Sequence, residues 1–344
     1  MATILASTQQ LVEASSPFPA WPQAMARAIR DTKTLLSVLE LPPDTAGNAQ
    51  QIQLAEQDFP LLVPWEFVAR MRPRDPADPL LRQVLATSAE REFSDGYGSD
   101  PVGDGAAEVL PGLLQKYQGR ALLVTTGACA VHCRYCFRRQ FPYSHVPKTP
   151  RTWQPAIDHI AGDTSLDELI LSGGDPLMLS DRSLMWLVQQ ANSLPHIVRL
   201  RIHTRVPIII PQRVCDDLLA WVHAARMQVV FVVHINHPQE IDDAVRAAIG
   251  QLRDAGVMLL NQSVLLRGIN DDVAVQRDLS AQLLRAGVLP YYLHQLDRVQ
   301  GAAHFEVPQS QGQAIIADLR SQISGYAVPK YVAEVAGDTS KRPL

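Results

Sequence analysis

The feature that most limits the fold is an alternation of short apolar runs and amphipathic stretches, which begins near residue 120 and continues along most of the remaining chain. The candidate strands are residues 121–126, 168–172, 198–203, 228–234, 257–262 and 290–294. The amphipathic stretches between them include residues 183–193, 213–226, 238–255 and 273–286. A repeat of about 30 residues is the length of one strand and one helix, which indicates a parallel sheet with crossover helices. Six such units are too few for a closed eight-stranded barrel. The sequence therefore predicts an α/β fold with a curved, partial barrel, and an open, doubly wound sheet is the alternative.

The first hundred residues follow a different pattern. Residues 21–41 carry apolar side chains at helical spacing up to Pro42 and Pro43, and two further short helices are predicted over residues 65–71 and 79–87. Segments rich in Pro, Gly, Asp and Ser separate these stretches. We therefore expect an N-terminal helical or wrapping region, a core, and a short C-terminal segment, over residues 1–105, 106–320 and 321–344.

Composition narrows the functional class. The chain has 344 residues, of which 47% are hydrophobic, so it can fill a sizeable core. Its formal net charge of −4 argues against a protein that binds nucleic acid through bulk positive charge. No apolar stretch approaches the ~20 residues of a membrane span, and residues 1–20 lack the pattern of a secretory signal. We expect a cytoplasmic protein that binds neither nucleic acid nor membrane.

Polar side chains follow each predicted strand. The carboxyl ends of parallel strands meet at one edge of a sheet, where function gathers in α/β proteins. Six consecutive ends that carry Cys, His, Arg, Asp, Asn or Gln therefore predict one shared site, built from residues 129–136, 172–176, 203–205, 234–237, 261–263 and 295–297.

Three cysteines lie within eight residues, in the segment that follows the first predicted strand: Cys129, Cys133 and Cys136. A zinc site needs a fourth ligand, and His132 is poorly placed for that role beside Cys133. A redox dithiol would use only two of the thiols and leave Cys129 unexplained. Three thiolates from one loop suit a four-iron cluster whose fourth iron stays open for a ligand.

The CxxxCxxC spacing, with Tyr135 before the last cysteine, resembles the radical SAM superfamily. The resemblance implies a partial (β/α)6 barrel, and a [4Fe-4S] cluster on Cys129, Cys133 and Cys136 that binds S-adenosyl-L-methionine (SAM) and generates a 5′-deoxyadenosyl radical. It also implies that one loop holds the amino end of SAM, through Ser172, Gly173, Gly174 and Asp175.

From about residue 78 onward the chain resembles the lysine 2,3-aminomutase family, and most closely its short bacterial form, which makes β-lysine for modification of elongation factor P. The strings that carry this likeness are residues 136–141, 171–177, 261–271, 291–305 and 324–329. The resemblance implies an isomerase that converts L-α-lysine to β-lysine by a radical 1,2-amino shift on pyridoxal 5′-phosphate (PLP). It also implies an external electron donor such as flavodoxin or ferredoxin, and a functional link to elongation factor P and its lysyl ligase. Three alternatives stay open: action on glutamate or arginine, a stand-alone catabolic aminomutase, and a non-catalytic cluster protein.

The resemblance places PLP on Lys341, within residues 337–343, while Lys330 is the nearest rival. Asp338, Thr339 and Ser340 depart from the glycine run of the family, and Arg342 replaces its hydrophobic residue. The family positions for the PLP phosphate are Lys116, Tyr117 and Arg120.

For the substrate, the resemblance assigns the α-carboxylate to Arg138, which suits the bidentate geometry of a guanidinium. Asp297 and Glu334 match the two acids that hold the ε-ammonium group, and they argue against a glutamate substrate by repulsion. His234 and Gln262 match positions that contact SAM. Arg134 and Arg139 are expected to offset the negative charge of the cluster.

The resemblance also implies an absence. Longer members of the family carry zinc-binding cysteines, but Asp272 stands at one such position and the chain ends at Leu344. We therefore expect no zinc site and a looser or smaller oligomer. Cys215, on a predicted helix, is expected to be a buried apolar residue rather than a ligand.

Overall fold

Ten strands form one sheet in the computed structural model, which describes residues 20–344. The strands pair in the order in which they occur along the chain. They are β1 (Glu108–Leu110), β2 (Leu113–Leu114), β3 (Arg120–Thr126), β4 (Glu168–Gly173), β5 (Arg199–Thr204), β6 (Gln228–His234), β7 (Met258–Val264), β8 (Leu289–His294), β9 (Lys330–Ala333) and β10 (Arg342–Pro343).

The central strands β3 to β9 are parallel, whereas β1, β2 and β10 are added antiparallel at the two ends. The six strands predicted from the sequence correspond to β3–β8, each within two residues at either end. Their apolar character explains this agreement, since a strand buried between helices and a barrel interior reads as a nearly continuous apolar run.

Helices connect the parallel strands. Described in chain order, the helices are α1 (Trp21–Ala26), α2 (Thr32–Val38), α3 (Ala49–Asp58), α4 (Trp65–Val68), α5 (Pro150–Gly162), α6 (Asp181–Asn192), α7 (Val206–Ile209), α8 (Asp216–Ala224), α9 (Asp243–Asp254), α10 (Val273–Ala286) and α11 (Gln309–Gln322). The predicted helices 183–193, 213–226, 238–255 and 273–286 correspond to α6, α8, α9 and α10. Helix α5, which connects β3 to β4, was not predicted from the sequence.

The order of pairing decides between the two predicted architectures. Each crossover leads to the neighbouring strand, always in the same direction across the sheet. Because such crossovers are right-handed, all connecting helices lie on one face of the sheet. A doubly wound sheet would instead reverse direction near its middle. The sheet therefore curls around its other face as a partial barrel, which confirms the predicted fold class.

Strand β5 shows how the two faces differ. Leu200 and Ile202 are fully buried and belong to the same apolar cluster as Leu187 of α6. The alternate residues Arg201 and His203 point to the concave face and line its cavity. On β5 the cavity face therefore carries polar side chains, and the opposite face packs into the apolar core between strands and helices.

The N-terminal region differs from the expectation in detail. The predicted helical stretch 21–41 consists of two helices, because the Asp31 side chain accepts a hydrogen bond from the Thr34 backbone N–H and begins α2 anew. The predicted helix 65–71 is the single turn α4, and residues 79–87 contain only a short 3₁₀ turn at Leu81–Gln83.

The apolar cluster that contains the β5 residues also includes Leu35 and Phe67 of the N-terminal region. The three-part division of the chain remains a prediction. Residues 1–19 of its first part, which carry no predicted secretory signal, lie outside the described residues. Within residues 20–344, no helix combines the length and the apolar character needed to cross a membrane.

Candidate active site

A cavity of about 330 Å³ opens at the carboxyl ends of the parallel strands. Every residue that the resemblance assigns to a cofactor or to the substrate lines it, although these residues come from segments as far apart as residues 116 and 341. Of the polar residues predicted at strand ends, Asn236, His237, Asn261 and Gln295 do not line it. Strand β9 lies parallel to β8, and β10 turns back against β9, which carries Lys341 to the cavity mouth. The rival Lys330 is exposed on β9 and does not line the cavity.

The three clustered cysteines are free thiols on the loop that follows β3. Burial, and then the neighbouring Cys136, raise the pKa of the Cys129 thiol well above its usual range. Burial, and then Cys133, raise the pKa of Cys136 to about 11. Three thiolates would therefore repel one another here unless a cationic group bound between them. This donor set fits an iron–sulfur cluster.

In the described part of the chain, no three His, Cys, Asp or Glu side chains come together closely enough to hold a single metal ion. A four-iron cluster spreads its thiolate ligands over several iron atoms, so it does not require that convergence. Asp272, at the position discussed for zinc, caps α10 by accepting hydrogen bonds from the Ala274 and Val275 backbone N–H groups. Cys215 is half-buried at the N-cap of α8 and lies outside the cavity lining.

The glycine loop after β4 lies against the cysteine loop with no room for a side chain. A Cβ atom on Gly174 would lie 2.4 Å from the carbonyl oxygen of Ala128, and one on Gly173 would lie 2.4 Å from that of Thr126. Gly173 also has a φ of +132°, which side chains disfavour. The two glycines are therefore required for the close approach of backbone to backbone.

We expect Gly174→Ala to lower stability by about 1–3 kcal/mol, because the added methyl group meets backbone that cannot rotate away. Iron incorporation should fall with it, since the cysteine loop must move. Thermal unfolding and iron content of the reconstituted protein measure the two effects. Gly325→Ala is the matched control, because nothing lies within 4 Å of a Cβ at that position. Equal melting temperatures for the two variants would contradict the prediction.

Asp175 fastens the glycine loop to the end of β5. Its carboxylate accepts hydrogen bonds from Thr204 Oγ1 at 2.7 Å and from the backbone N–H groups of Arg205 at 2.7 Å and Leu177 at 3.0 Å. Burial raises the pKa of Asp175 to about 6. Among its neighbours in the loop, Ser172 accepts a hydrogen bond from Arg138 Nη1 at 3.0 Å.

A chain of ion pairs crosses the cavity wall. Arg138 Nε lies 2.6 Å from Asp104, and Lys116 Nζ lies 2.6 Å from Asp104 and 3.0 Å from Glu334. Lys341 Nζ lies 2.5 Å from the other oxygen of Glu334. Burial alone would raise the pKa of Glu334, but the neighbouring Lys341 and Lys116 outweigh burial and lower this pKa to about 2. Glu334 is therefore ionised and shared by two ammonium groups.

Asp104 is a residue that the sequence analysis missed. It lies at the end of a Gly- and Asp-rich stretch that is predicted only as a loop. Asp104 is nevertheless 2% exposed, and its carboxylate forms ion pairs with both Arg138 and Lys116. No local pattern distinguishes it from the other acids of that stretch.

Asp297 differs from Glu334, because it forms no ion pair with any of residues 20–344. Burial, and then the nearby Glu334, raise the pKa of Asp297 to about 7, against the opposing effect of Lys341 and Lys116. A half-buried carboxylate without an ion-pair partner in the described residues is incompletely solvated, and a cationic ligand would stabilise its charge. The cavity therefore offers an ammonium site at Asp297.

Several buried donors in the cavity also lack partners within the described residues. They are the Nε atoms of Arg120, Arg201 and Arg205 and the Nε2 atoms of His203 and His294. The guanidinium of Arg120 lies over the ring of Tyr117, at 4.7 Å from its centroid. Unpartnered buried donors of this kind fit a ligand rich in acceptor oxygens, such as a phosphorylated cofactor. Arg201 and His294 were not identified from the sequence.

His234 and Gln262 lie side by side at the ends of β6 and β7. His234 Nε2 lies 2.8 Å from the Tyr135 hydroxyl. Burial, and then Arg205, lower the pKa of His234 to about 3, so its ring is neutral. Arg134 and Arg139 both pair with Glu90, at 2.6 and 2.7 Å, and neither lines the cavity.

Comparison with known proteins identifies a matching family and relatives that cover most of this chain. A family described as a 4Fe-4S single cluster domain matches residues 118–197. The L-lysine 2,3-aminomutase of Haemophilus influenzae is 44% identical over 93% of this chain and 94% of its own, and that of Escherichia coli is 46% identical over 94% of both chains. The L-lysine 2,3-aminomutase of Clostridium subterminale is 37% identical over 81% of this chain and 67% of its own.

Among solved structures, a radical SAM methyltransferase from Sphaerobacter thermophilus aligns with 66% of this chain and 69% of its own, at a TM-score of 0.46 and 16% identity. That likeness is too low to bear on function. The sequence relatives, by contrast, extend along nearly the whole of both chains. Their identity and coverage confirm the resemblance found in the sequence: this chain belongs to the L-lysine 2,3-aminomutase family.

Proposed function

We propose that this protein is an isomerase that converts L-α-lysine to β-lysine. One observation carries the proposal: a single cavity brings together three free cysteines, the amine of Lys341 and the unpaired carboxylate of Asp297. Relatives named L-lysine 2,3-aminomutase, at 43–46% identity over nearly the whole chain, support it.

The resemblance assigns the residues that would hold the cofactors, and their common position in the cavity lining supports the assignment. Cys129, Cys133 and Cys136 would hold a [4Fe-4S] cluster, and Lys341 would hold PLP. When bound, the cluster and SAM would supply a carbon-centred radical, and PLP would carry the migrating amino group and spread the unpaired electron. The phosphate would meet Lys116, Tyr117 and Arg120, and SAM would meet the loop 172–175 with His234 and Gln262.

The protein itself orients the substrate. Arg138 uses Nε for Asp104 and one N–H of Nη1 for Ser172, so the second N–H of Nη1 and both N–H groups of Nη2 can donate to a substrate carboxylate. Asp297 would bind the ε-ammonium group, and Glu334 would join it once Lys341 no longer occupies one of its oxygens. Two carboxylates at this end of the cavity disfavour a glutamate side chain through charge repulsion.

The experiment uses anaerobically reconstituted protein with SAM, PLP and dithionite as the one-electron donor. We expect β-lysine from L-lysine, and little or no β-amino acid from glutamate or arginine at equal concentration. Chromatography of the derivatised products distinguishes them. Protein with full iron and PLP content that gives no β-lysine would refute the proposal, and preferred turnover of glutamate or arginine would favour the alternative substrate.

The Asp297 carboxylate should control both affinity and pH dependence. We expect Asp297→Asn to weaken lysine binding about 10- to 100-fold, which corresponds to about 1.4–2.7 kcal/mol. With the Asp297 pKa at about 7 in the free protein, only the ionised form above that pH attracts the ammonium group. Affinity should therefore fall as the pH drops through about 7.

Isothermal titration of lysine between pH 6 and 8 measures both effects. The asparagine variant should bind with the same weak affinity across that range, because it has no charge to lose. A wild-type affinity that did not change with pH would contradict the assignment of the ammonium site.

We further propose that the β-lysine serves the modification of elongation factor P, and that a flavodoxin or ferredoxin supplies the electron in the cell. Both steps are supported by the resemblance to short members of the family. A gene deletion followed by mass measurement of elongation factor P tests the first. Unchanged modification in the deletion strain would favour the catabolic alternative.

A further inference from the structure

Arg205 is a buried arginine that directly follows β5 and reaches the cysteine loop. Its side chain is 6% exposed. Nη1 donates hydrogen bonds to the sulfur of Cys133 at 2.8 Å and to the hydroxyl of Tyr135 at 2.9 Å. Nη2 donates to Glu240 at 2.9 Å and to Gln83 at 2.6 Å.

Arg205 is held in place from three directions. Its backbone N–H donates to Asp175, which ties the arginine to the glycine loop. Its counter-ion Glu240 is fully buried and also accepts hydrogen bonds from the backbone N–H of Asn236 and from Gln83 Nε2. The Cys133 sulfur, the Arg205 guanidinium and the Glu240 carboxylate are therefore linked in sequence by hydrogen bonds, and the guanidinium and the carboxylate are buried.

The neighbouring arginines are engaged elsewhere. Arg134 and Arg139 pair with Glu90, and Arg138 pairs with Asp104. Among the arginines of the described chain, Arg205 is the one that donates a hydrogen bond to a sulfur atom of the three clustered cysteines.

We propose that Arg205 is a positioning residue that sets the reduction potential of the cluster through its hydrogen bond to Cys133, and that Glu240 moderates this effect. The proposal rests on the cluster of the proposed function. Reduction adds one electron, from an external one-electron donor, and breaks no bond. The added negative charge lies beside the guanidinium, so Arg205 favours the reduced form. Hydrogen bonds to cluster sulfurs and nearby charge are the means by which proteins adjust such potentials.

Two single variants test the sign of the effect. In reconstituted protein, with the midpoint potential measured by a redox titration followed by electron paramagnetic resonance, Arg205→Gln should shift the potential to a more negative value. Glu240→Gln leaves the arginine but removes its counter-charge, so it should shift the potential to a more positive value. Arg205→Lys keeps the positive charge and should lie between wild type and Arg205→Gln.

Arg205→Gln and Glu240→Gln disturb the same buried network, so a purely structural role would shift the midpoint potential in the same direction in both. Shifts of opposite sign therefore support an electrostatic role. Shifts of the same sign, or a potential unchanged in Arg205→Gln at full iron content, would overturn the proposal. If Arg205→Gln fails to fold or to bind iron, Glu240→Gln decides alone: a positive shift supports the proposal and no shift overturns it. Wild-type protein that forms no cluster would instead contradict the proposed function.

Discussion

Lys341→Ala is expected to abolish PLP binding and to reduce β-lysine formation by about 10³-fold or more, because Lys116, the other lysine that lines the cavity in the described chain, is engaged by Asp104 and Glu334. Lys341 is half-buried and its Nζ lies 2.5 Å from Glu334 and 5.9 Å from the centre of the Tyr292 ring. Loss of the protein-bound pyridoxal absorbance measures the first effect. Borohydride reduction of the wild type, followed by peptide mapping, should locate the pyridoxyl group at this residue.

Lys330→Ala is the matched control, because this lysine is eleven positions away, exposed, and outside the cavity. It should retain pyridoxal absorbance and activity. A pyridoxyl group found on Lys330, or full cofactor binding by the Lys341 variant, would show that the wrong lysine had been assigned.

Cys136→Ala is expected to remove the cluster and, with it, all SAM-dependent activity. Two thiolates cannot replace three, and burial would still hold the pKa of the Cys129 thiol above its usual range without iron to stabilise the thiolate. Iron and sulfide analysis after reconstitution, together with the spectrum of the reduced protein, measures the loss. Product formation should fall about 10³-fold or more, to the level of protein without iron.

Cys215→Ala supplies the control for this variant. Its thiol lies beside Arg213 at the start of α8 and does not line the cavity. It should bind the same amount of iron as wild type. If Cys136→Ala also retained that amount, the assignment of the three clustered cysteines would be wrong.

The features that could be predicted from the sequence are those encoded locally. Six apolar runs identified β3–β8 within two residues, and helix α10 began and ended at the predicted residues. The spacing of the three cysteines is likewise a local signal. The break between α1 and α2 was missed although a signal existed, since Asp31 is a good N-cap residue in the middle of an otherwise helical pattern.

The pairing of charges could not be predicted in the same way. Lys116 and Glu334 lie 218 positions apart, Arg138 and Asp104 lie 34 apart, and Arg205 and Cys133 lie 72 apart. Such contacts depend on strand register and on the path of each loop. Periodicity and spacing describe only neighbours along the chain, so Asp104 and Arg201 had no distinguishing signal, and Arg205 was predicted at a strand end of the shared site but without its contact to Cys133.

By itself, the sequence determined the order of strands β3–β8 and the identity of the thiols, because each follows from residues close together in the chain. Only the tertiary structure decided that the sheet is a partial barrel rather than a doubly wound sheet, and that within residues 20–344 Glu334 pairs with two lysines while Asp297 forms no ion pair. The physical reason is that the energy of a buried charge depends on which charges surround it in space, and folding alone brings those groups together.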